Sequence, residues 1–460
     1  MVRWLPVLVT AALAVLGSFA VTQVALRPPG FLGEPRAAEL QSFKSLASSG
    51  SIPDPVGGSV AANVTLGMYP VGIGYNNRNG YLYVTSAFSE NVSVVNGTRV
   101  VATIPVNSGP HTVAYGPYGV AYDSGTGYVY IANDGSDTVT VINGTTIVAS
   151  VPVGKNPEGM AYNTRNGYIY VANMGSDNVS VINGTTVVAT VPVDHGPYGV
   201  VYNPMNGYVY VTNAFSNLVS LINGTAYRGY VQVGGGSWGA AYDSRHGYVY
   251  VANVGVGMVS VINGTTVVGT VPVYWGPWGV AYDSKNGYVY VTGGASGTVT
   301  VINGMTVIGT IPVRSGPVGV AYDDRNGYVY VANGATFYLS VISTALVTFA
   351  ETGLPAGTLW SVVLDGSSTS STAPAITFSP LNGPHPYSVA SVAGYAASPS
   401  SGSLAVNNGA PLNVTISFAP MFLGLPATVG YVLLIGIVAL VVAVSVVFGL
   451  RRATRKRGIG

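Results

Sequence analysis

Short apolar runs rich in Tyr and Val, separated by polar turns, dominate the middle of the chain. The pattern Gly-Tyr-Val-Tyr-Val recurs seven times with small changes, beginning at Gly80, Gly127, Gly167, Gly207, Gly247, Gly287 and Gly327. The first spacing is 47 residues and the next five are 40 residues each. A fixed period near forty, built from short strands and turns, predicts the blades of a β-propeller. Apolar residues on both faces of one strand indicate that neighbouring blades cover both faces.

Each repeat contains four predicted strands, and the turns between them support this division. In the third repeat the strands are predicted at 159–163, 167–173, 178–182 and 185–193. The dipeptide Asn-Gly is the strongest two-residue hairpin signal, and it separates the third strand from the fourth. It begins at Asn96, Asn143, Asn183, Asn223, Asn263 and Asn303. The longer first interval contains a duplicated heptad, 109–115 followed by 116–122, which is expected to lengthen one connection between blades.

The seventh repeat lacks a fourth strand, because Ser343-Thr344 replaces Asn-Gly and the pattern stops. Residues 59–67, which precede the first repeat, resemble 185–193. We therefore predict that this N-terminal strand completes the last blade. Such a closure removes the exposed sheet edges that an open array would leave.

After the repeats, residues 345–420 contain shorter apolar and alternating runs, which predict a small β-sandwich that acts as a spacer. The predicted fold is therefore all-β, a seven-bladed β-propeller over 58–344 closed by an N-terminal strand. The sandwich and a C-terminal transmembrane helix follow it.

The two ends of the chain predict a membrane protein of the cell surface. Residues 430–450 carry no charge and are long enough to cross a bilayer of ~30 Å, so a transmembrane helix is predicted over 426–450. Five basic residues in the tail 451–460 place the C-terminus in the cytoplasm and the bulk of the chain outside the cell. The apolar segment 1–26 is predicted to be either a cleaved signal peptide or a signal anchor, and 27–57 a stalk or linker.

Composition narrows the possible functions. The chain has no cysteine, so disulfides, thiolate metal sites and cysteine nucleophiles are excluded. Without Arg3 and the basic tail, the chain carries 12 Lys and Arg against 16 Asp and Glu, a net charge of −4. This acidic balance argues against nucleic acid as a partner.

The end of the second strand carries a recognisable motif. It reads Tyr-Val-Thr-Asn at 210–213 and Tyr-Val-Ala-Asn at 170–173, 250–253 and 330–333. Together with Gly-Val-Ala-Tyr-Asp and Val-Ile-Asn-Gly-Thr, it resembles the YVTN-type β-propeller repeats of archaeal surface-layer proteins over 58–344. That resemblance implies a structural or recognition role at the cell surface. Residues 349–360 look like a β-domain of archaeal surface proteins, and similar propellers include lactonases and lyases.

Candidate catalytic residues are sparse. The four histidines, His111, His195, His246 and His385, are scattered along the chain. Asp194-His195 is the only adjacent acid–base pair, and an ordinary loop is expected there. Asp134, Asp137 and Asp177 lack the dense spacing of oxygen ligands in a calcium loop, so solvated turns are expected. We accordingly expect no catalytic residues, no metal, no cofactor and no enzymatic activity.

The position before the glycine of each first strand varies, whereas its surroundings repeat. It is occupied by Val71, Tyr118, Glu158, Tyr198, Trp238, Trp278 and Val318. Binding residues often vary on a rigid scaffold, and in a propeller these positions would surround one mouth of the channel. We therefore hypothesise a binding surface for a sugar or peptide formed by Tyr118, Glu158, Tyr198, Trp238, Tyr274, Trp275 and Trp278. The alternative is that these aromatic residues pack between blades.

Nine Asn-X-Ser/Thr sequons are candidate glycosylation sites outside the cell: Asn63, Asn91, Asn96, Asn143, Asn178, Asn183, Asn223, Asn263 and Asn413. Asn303-Gly304-Met305 keeps the hairpin signal but loses the sequon, so turn geometry alone explains Asn-Gly.

The sequence thus predicts a membrane-anchored extracellular protein, non-catalytic, with a structural, adhesive or ligand-binding role. Its partners would be the membrane and glycans or other envelope proteins. The alternative is an extracellular enzyme of the lactonase or lyase type. Histidines and carboxylates gathered at the channel mouth would favour the enzyme, whereas an aromatic mouth would favour the surface module.

Overall fold

The computed structural model describes residues 59–106, 117–274, 276–380, 383–407, 411–422 and 425–456. The predicted signal segment 1–26, the linker 27–57, the heptad copy 109–115 with His111, and Trp275 lie outside these ranges, as do the last four residues of the tail.

Seven four-stranded antiparallel sheets form the main body of the protein. Six of them use four strands that are consecutive in the chain. The first sheet contains β2 Pro70–Asn76, β3 Tyr81–Ser86, β4 Asn91–Asn96 and β5 Arg99–Pro105, and the second contains β6 Pro117–Tyr122, β7 Tyr128–Asn133, β8 Thr138–Asn143 and β9 Thr146–Pro152. The third contains β10 Pro157–Asn163, β11 Tyr168–Asn173, β12 Asn178–Asn183 and β13 Thr186–Pro192, and the fourth contains β14 Pro197–Tyr202, β15 Val209–Asn213, β16 Leu218–Asn223 and β17 Ala226–Gln232. The fifth contains β18 Ser237–Asp243, β19 Tyr248–Asn253, β20 Met258–Asn263 and β21 Thr266–Pro272, and the sixth contains β22 Pro277–Tyr282, β23 Tyr288–Gly293, β24 Thr298–Asn303 and β25 Thr306–Pro312.

The seventh sheet joins the two ends of the repeat region. It contains β26 Pro317–Asp323, β27 Tyr328–Asn333, β28 Tyr338–Ser343 and, as its outer strand, β1 Ser59–Thr65. Strand β1 runs antiparallel to β28. The innermost strands contact one another in sequence order, and β26 contacts β2. The predicted propeller closed by an N-terminal strand is therefore confirmed.

A glycine in each innermost strand allows the blades to approach closely. A Cβ atom added at this glycine would lie only 1.7–2.4 Å from a carbonyl oxygen of the next blade. The pairs run around the channel and close on themselves: Gly72 with Tyr118, Gly119 with Glu158, Gly159 with Tyr198, Gly199 with Trp238, Gly239 with Trp278, Gly279 with Val318 and Gly319 with Val71. Only glycine fits such a contact, so the repeated glycine follows from the packing of the blades.

In five blades, the second tyrosine of the Gly-Tyr-Val-Tyr-Val motif forms a link to the next blade. Its ring is fully buried, and its hydroxyl donates a hydrogen bond of 2.7–2.9 Å to the glycine carbonyl of the next blade's Asn-Gly turn. The pairs are Tyr83 with Gly144, Tyr130 with Gly184, Tyr170 with Gly224, Tyr210 with Gly264 and Tyr250 with Gly304. The Gly-Tyr-Val-Tyr-Val motif of one blade and the Asn-Gly motif of the next blade are therefore in direct contact.

A small β-sandwich follows the propeller, as predicted. Its strands are β29 Val347–Thr352, β30 Trp360–Leu364, β31 Ser367–Ser371, β32 Ala375–Phe378, β33 Gly383–Val389, β34 Tyr395–Ser398, β35 Ser401–Val406, β36 Leu412–Phe422 and β37 Leu425–Pro426. One sheet has the order β32-β29-β36-β34, with β37 paired to β36, and the other has the order β31-β30-β33-β35. Trp360, Phe349 and Phe418 are buried in the core between them.

The last element is helix α1, Ala427–Lys456. Its segment Gly430–Val447 is apolar and long enough to cross a membrane, and only 6% of that segment is buried within the protein. The length and composition of this helix are those of a membrane-spanning segment.

Because the strands of a blade are antiparallel, the turns and connections lie at two opposite ends of the strands, and each set of ends forms one side of the propeller. The hairpins between first and second strands and between third and fourth strands lie at one edge, which we call the hairpin edge. The connections between blades lie at the other, the mouth edge. Because β28 is a third strand, the chain leaves the propeller at Ser343 on the hairpin edge, and the hydroxyl of Ser343 donates to the carbonyl of Pro380 in the sandwich segment.

Candidate functional site

The variable position of each first strand lies beside the central channel. These seven residues, which we call the mouth ring, are Val71, Tyr118, Glu158, Tyr198, Trp238, Trp278 and Val318, and all of them line one cavity of about 140 Å³. Five residues of the hypothesised binding surface are thus brought together. The sixth, Tyr274, is not among the lining residues and is 46% exposed. The seventh, Trp275, lies outside the described residues.

A repeated irregularity of the first strand directs these side chains into the channel. The strand register shifts between Pro157 and Met160, which leaves Glu158 and Gly159 without regular partners on β11. The same shift occurs in all seven first strands. Bulges of this kind change the direction in which a side chain points. The sequence offered only a weak signal for them, a proline at the first strand position in six of the seven blades.

Three rings of the mouth ring contact one another across blades. The centroids of Tyr198 and Trp238 lie 4.4 Å apart with planes inclined at 44°, and those of Trp238 and Trp278 lie 4.5 Å apart at 50°. Each of the three side chains is half-buried. These aromatic residues therefore pack between blades and line the cavity at the same time, so neither function excludes the other.

Glu158 is a buried carboxyl within this aromatic surrounding. Only 7% of the residue is exposed. Burial raises the pKa of Glu158 well above its usual value, and the nearby charge of Asp134 raises it further. Glu158 consequently retains its proton at a higher pH than an exposed glutamate does, and a perturbed carboxyl in a cleft is a candidate functional group.

Asp134 corrects one prediction from the sequence. A solvated turn was expected there, but Asp134 is only 3% exposed, in a short 3₁₀ turn over Asp134–Ser136. Burial also raises the pKa values of Tyr198 and Tyr69, and the charge of Glu158 contributes to both shifts. The charge of Glu158 thus bears on the pKa values of Tyr69 and Tyr198, and the charge of Asp134 bears on that of Glu158.

The described histidines do not gather at the mouth ring. His195 pairs through Nδ1 with Asp177 at 2.9 Å rather than with its neighbour Asp194, and its side chain is 66% exposed. Burial alone would raise the pKa of Asp177, but hydrogen bonds from the Gly196 N–H and from His195 bring it below its usual value. Asp137 makes a similar contact to its blade connection, because its carboxylate accepts a hydrogen bond from the Asn156 N–H at 2.9 Å.

The remaining two described histidines each have their own acidic partner elsewhere. His246 lies 2.7 Å from Asp243 in a hairpin turn, and His385 pairs with Asp365 in the sandwich. Within the described ranges, no three His, Asp or Glu side chains are grouped so that they could hold a metal ion.

The sequons fall into two structural classes. At the Asn-Gly hairpins the asparagines are exposed: Asn96, Asn143, Asn183, Asn223 and Asn263. Asn413 and Asn63 are exposed as well, although the side-chain oxygen of Asn63 accepts a hydrogen bond from Ser340. Asn91 and Asn178 are half-buried, and the Asn178 amide donates to the carbonyl of Ser176.

Comparison with known proteins adds evidence on the fold. No family model matches the sequence, and no curated protein matches it. Solved structures do match. The match to a streptogramin B lyase covers 61% of this chain and 96% of the lyase chain, at 13% sequence identity and a TM-score of 0.54. The match to virginiamycin B lyase from Staphylococcus aureus covers 61% of this chain and 98% of the lyase chain, at 12% identity and a TM-score of 0.54. The hydrazine synthase of Kuenenia stuttgartiensis covers 64% and 97% at 17% identity and a TM-score of 0.50.

These likenesses show a shared β-propeller fold. They also contradict the expectation that the protein is not an enzyme, because structures with this fold are themselves named lyases. That expectation rested on the scarcity of histidines and metal ligands, which does not exclude catalysis by other groups. At 12–13% identity the likeness establishes the fold alone, so it assigns no substrate or reaction to this chain.

Proposed function

We propose that the protein is a membrane-anchored extracellular enzyme of the lyase or lactonase type, and that it holds its substrate at the mouth ring. The observation that carries this proposal is Glu158, a buried carboxyl with a raised pKa among aromatic rings at the centre of the propeller. The likeness of the fold to that of lyases supports the same class of function.

Both reaction types depend on moving a proton between substrate and protein. A carboxyl whose pKa is displaced toward the working pH is suited to accept and donate that proton, and Glu158 takes this role. The rings of Tyr198, Trp238 and Trp278 orient the substrate by stacking. A cavity of about 140 Å³ holds one compact group, so the rest of the substrate extends over the loops of the mouth edge.

The proposed location combines features from both ends of the chain. Helix α1 anchors the protein in the membrane, and the basic tail after it keeps the C-terminus in the cytoplasm. The chain leaves the propeller at the hairpin edge, and we expect the mouth edge to face away from the anchor. The YVTN-type repeats and the exposed hairpin sequons support a position at the cell surface.

A substrate screen tests this proposal. Purified full-length protein in detergent is incubated with lactones and with extracts of culture medium. Mass spectrometry then identifies the compounds that disappear. We expect conversion by the wild-type protein and by Asp324→Asn, which changes an exposed carboxyl at the hairpin edge. Glu158→Gln should lower the rate by about 10²–10⁴-fold, the usual contribution of general acid–base catalysis. Equal conversion by Glu158→Gln would contradict the proposal.

Binding of glycans or of other envelope proteins at the same mouth is a second candidate function. It is favoured by the three adjoining rings of Tyr198, Trp238 and Trp278, because continuous aromatic surfaces stack well on sugars and peptides. A glycan and protein binding screen with wild-type protein and Trp278→Ala tests it. Capture that depends on Trp278, without chemical change of the captured molecule, would favour binding over catalysis.

A further inference from the structure

The mouth ring combines aromatic rings with a carboxyl and contains no basic side chain. Tyr118, Tyr198, Trp238 and Trp278 supply the rings, and Glu158 supplies the carboxyl. The surface of the cavity is otherwise formed by Val71, Val318 and glycines of the first strands, which are apolar or nearly so. The site thus has a negative or hydrogen-bonding group at one place and electron-rich rings around it.

We propose that the mouth ring is a cage for an alkylated ammonium group, such as the trimethylammonium head of a larger molecule. This inference rests on the proposed function, in that it takes the mouth ring to be the substrate site and names the chemical class of the group bound there.

The arrangement of the rings suits a rounded cation. Aromatic faces attract cations electrostatically, and the attraction is strongest for tryptophan and for desolvated sites. Tyr198, Trp238 and Trp278 are inclined to their neighbours by 44° and 50° and all line the cavity, so they do not form a flat stack. Inclined rings suit a rounded group, whereas a flat stack favours a planar one.

The carboxyl explains why the bound group should be charged. Glu158 is buried among apolar groups, and the second buried carboxyl, Asp134, lies close enough for its charge to be felt at Glu158. A cation in the cavity would favour the ionised form of Glu158 and would gain an opposite charge beside it as the proton leaves to solvent. An anion would disfavour that form, and a neutral molecule would not draw the proton away.

The apolar surroundings decide between kinds of cation. A metal ion such as Ca²⁺ takes six to eight oxygen ligands, and the mouth ring contains one carboxyl and two tyrosine hydroxyls. An alkylated ammonium group carries its charge beneath methyl groups and loses little hydration when it enters an apolar cage. Recognition of such groups by aromatic cages is a general use of cation–π attraction.

The size of the cavity fits the head group alone. At about 140 Å³ it is close to an apolar cavity of about 150 Å³ that holds one benzene-sized molecule. Pockets that enclose drug-sized molecules are usually about 300–1,000 Å³. The remainder of the ligand must therefore lie outside the ring.

Choline and its neutral analogue 3,3-dimethyl-1-butanol provide a matched pair of probes, since a carbon atom replaces the charged nitrogen at almost constant shape. Binding of each is measured by titration calorimetry on the full chain in a maltoside detergent, which carries no ammonium group. We expect choline to bind at least about 10-fold more tightly than the alcohol, the effect of a desolvated cation–π and carboxylate contact.

Substitutions separate the two contributions. Glu158→Gln should weaken choline binding about 10-fold and leave the alcohol unchanged, because glutamine keeps the shape of the side chain but cannot ionise beside a cation. Trp238→Phe should weaken choline partly, and Trp238→Ala should weaken both probes. Asp324→Asn, far from the mouth edge, is the control and should bind as the wild-type protein does. Melting curves of each variant show whether it is folded. If Trp238→Ala does not fold, Trp238→Phe still tests the contribution of the indole ring.

Three results would overturn the inference: no binding of choline, equal binding of the two probes, or choline binding that neither Glu158→Gln nor Trp238→Phe changes. The proposed function fails separately. If Glu158→Gln loses conversion in the substrate screen while choline does not bind, the enzyme proposal stands and the ammonium cage falls. If choline binds as expected but Glu158→Gln converts substrates normally, the cage stands and the catalytic proposal falls.

Discussion

At the scale of the residue, the mouth ring shows how a repeat protein concentrates chemistry at one position. The glycine after that position is fixed by its contact with the next blade, and the strand before and after it is fixed by packing. The mouth-ring side chain lies at a bulge and lines the central cavity, so the contact that requires glycine at the next position does not restrict it. Variation at this position within an otherwise regular repeat was therefore an informative sequence signal.

The buried carboxyl of Glu158 predicts a dependence of stability on pH. Its pKa is raised in the folded protein, so the folded state holds a proton that the unfolded state releases above the usual value of 4.5. The resulting stability is complete below that value and is lost as the pH rises through the folded pKa. Each unit of displacement corresponds to about 1.4 kcal/mol.

Glu158→Gln removes this loss, because glutamine is neutral at every pH. We expect the variant to melt at a higher temperature than the wild-type protein at pH 8, and the difference to shrink toward pH 4. Thermal melting at a series of pH values checks this, with Asp324→Asn as the control. A difference that stays constant with pH, or that grows toward pH 4, would show that Glu158 is not a protonated buried group.

At the scale of the element, the strands were predictable and the contacts between them were not. Asn-Gly and the alternating Tyr and Val residues indicated where hairpins and strands lie, because these signals are local. The bond from Tyr170 to Gly224 joins residues that are 54 positions apart, and it exists only because two blades pack. Asp134 was misjudged for the same reason, because a short polar segment resembles a solvated turn although the residue is buried in the folded protein. The pairing of His195 with Asp177 likewise depends on two separate loops meeting, so it could not be predicted from adjacent residues.

The tyrosine contact between blades can be measured by removing one hydroxyl. The Tyr170 hydroxyl donates to the Gly224 carbonyl at 2.8 Å and accepts from the Asn166 amide at 3.0 Å. Tyr170→Phe should lower the free energy of unfolding by about 1–2 kcal/mol, since both partners lose a hydrogen bond. Tyr168→Phe is the matched control, because the Tyr168 hydroxyl has no hydrogen bond to a described residue. Denaturant unfolding measures both, and equal stability of the two variants would argue against the contact.

At the scale of the whole molecule, the course of the chain separates the mouth edge from the hairpin edge. The exposed sequons at Asn-Gly turns all lie at the hairpin edge, in the five blades that begin with β2, β6, β10, β14 and β18. Glycans there would leave the mouth ring open to ligands. The proposed cell-surface location thus agrees with a binding site at the opposite edge.

Glycan mapping by mass spectrometry tests this division of the sequons. We expect modification at Asn96, Asn143, Asn183, Asn223 and Asn263 in protein purified from its native cells. Asn178 should be unmodified, because its amide is half-buried and hydrogen-bonded to Ser176. Modification of Asn178 with bare hairpin asparagines would contradict the expected pattern.

The site exists only if the propeller closes, because closure brings Val71 and Val318 to the same channel. The pair Thr65 and Tyr338 reports on this closure. The Leu66 N–H donates to the Phe337 carbonyl, so the neighbouring pair of Thr65 and Tyr338 is a non-hydrogen-bonded one, whose Cα atoms are about 4.5 Å apart and within the range of a disulfide. The native chain has no cysteine that could compete.

The most direct test is therefore the double variant Thr65→Cys with Tyr338→Cys, compared with each single variant. After mild oxidation, non-reducing electrophoresis of the full chain should show an internal disulfide in nearly all of the double variant and in neither single variant, and its melting temperature should not fall. A double variant that is folded but remains reduced, or that forms only intermolecular disulfides, would show that the ring is open and that the mouth ring does not exist as one site.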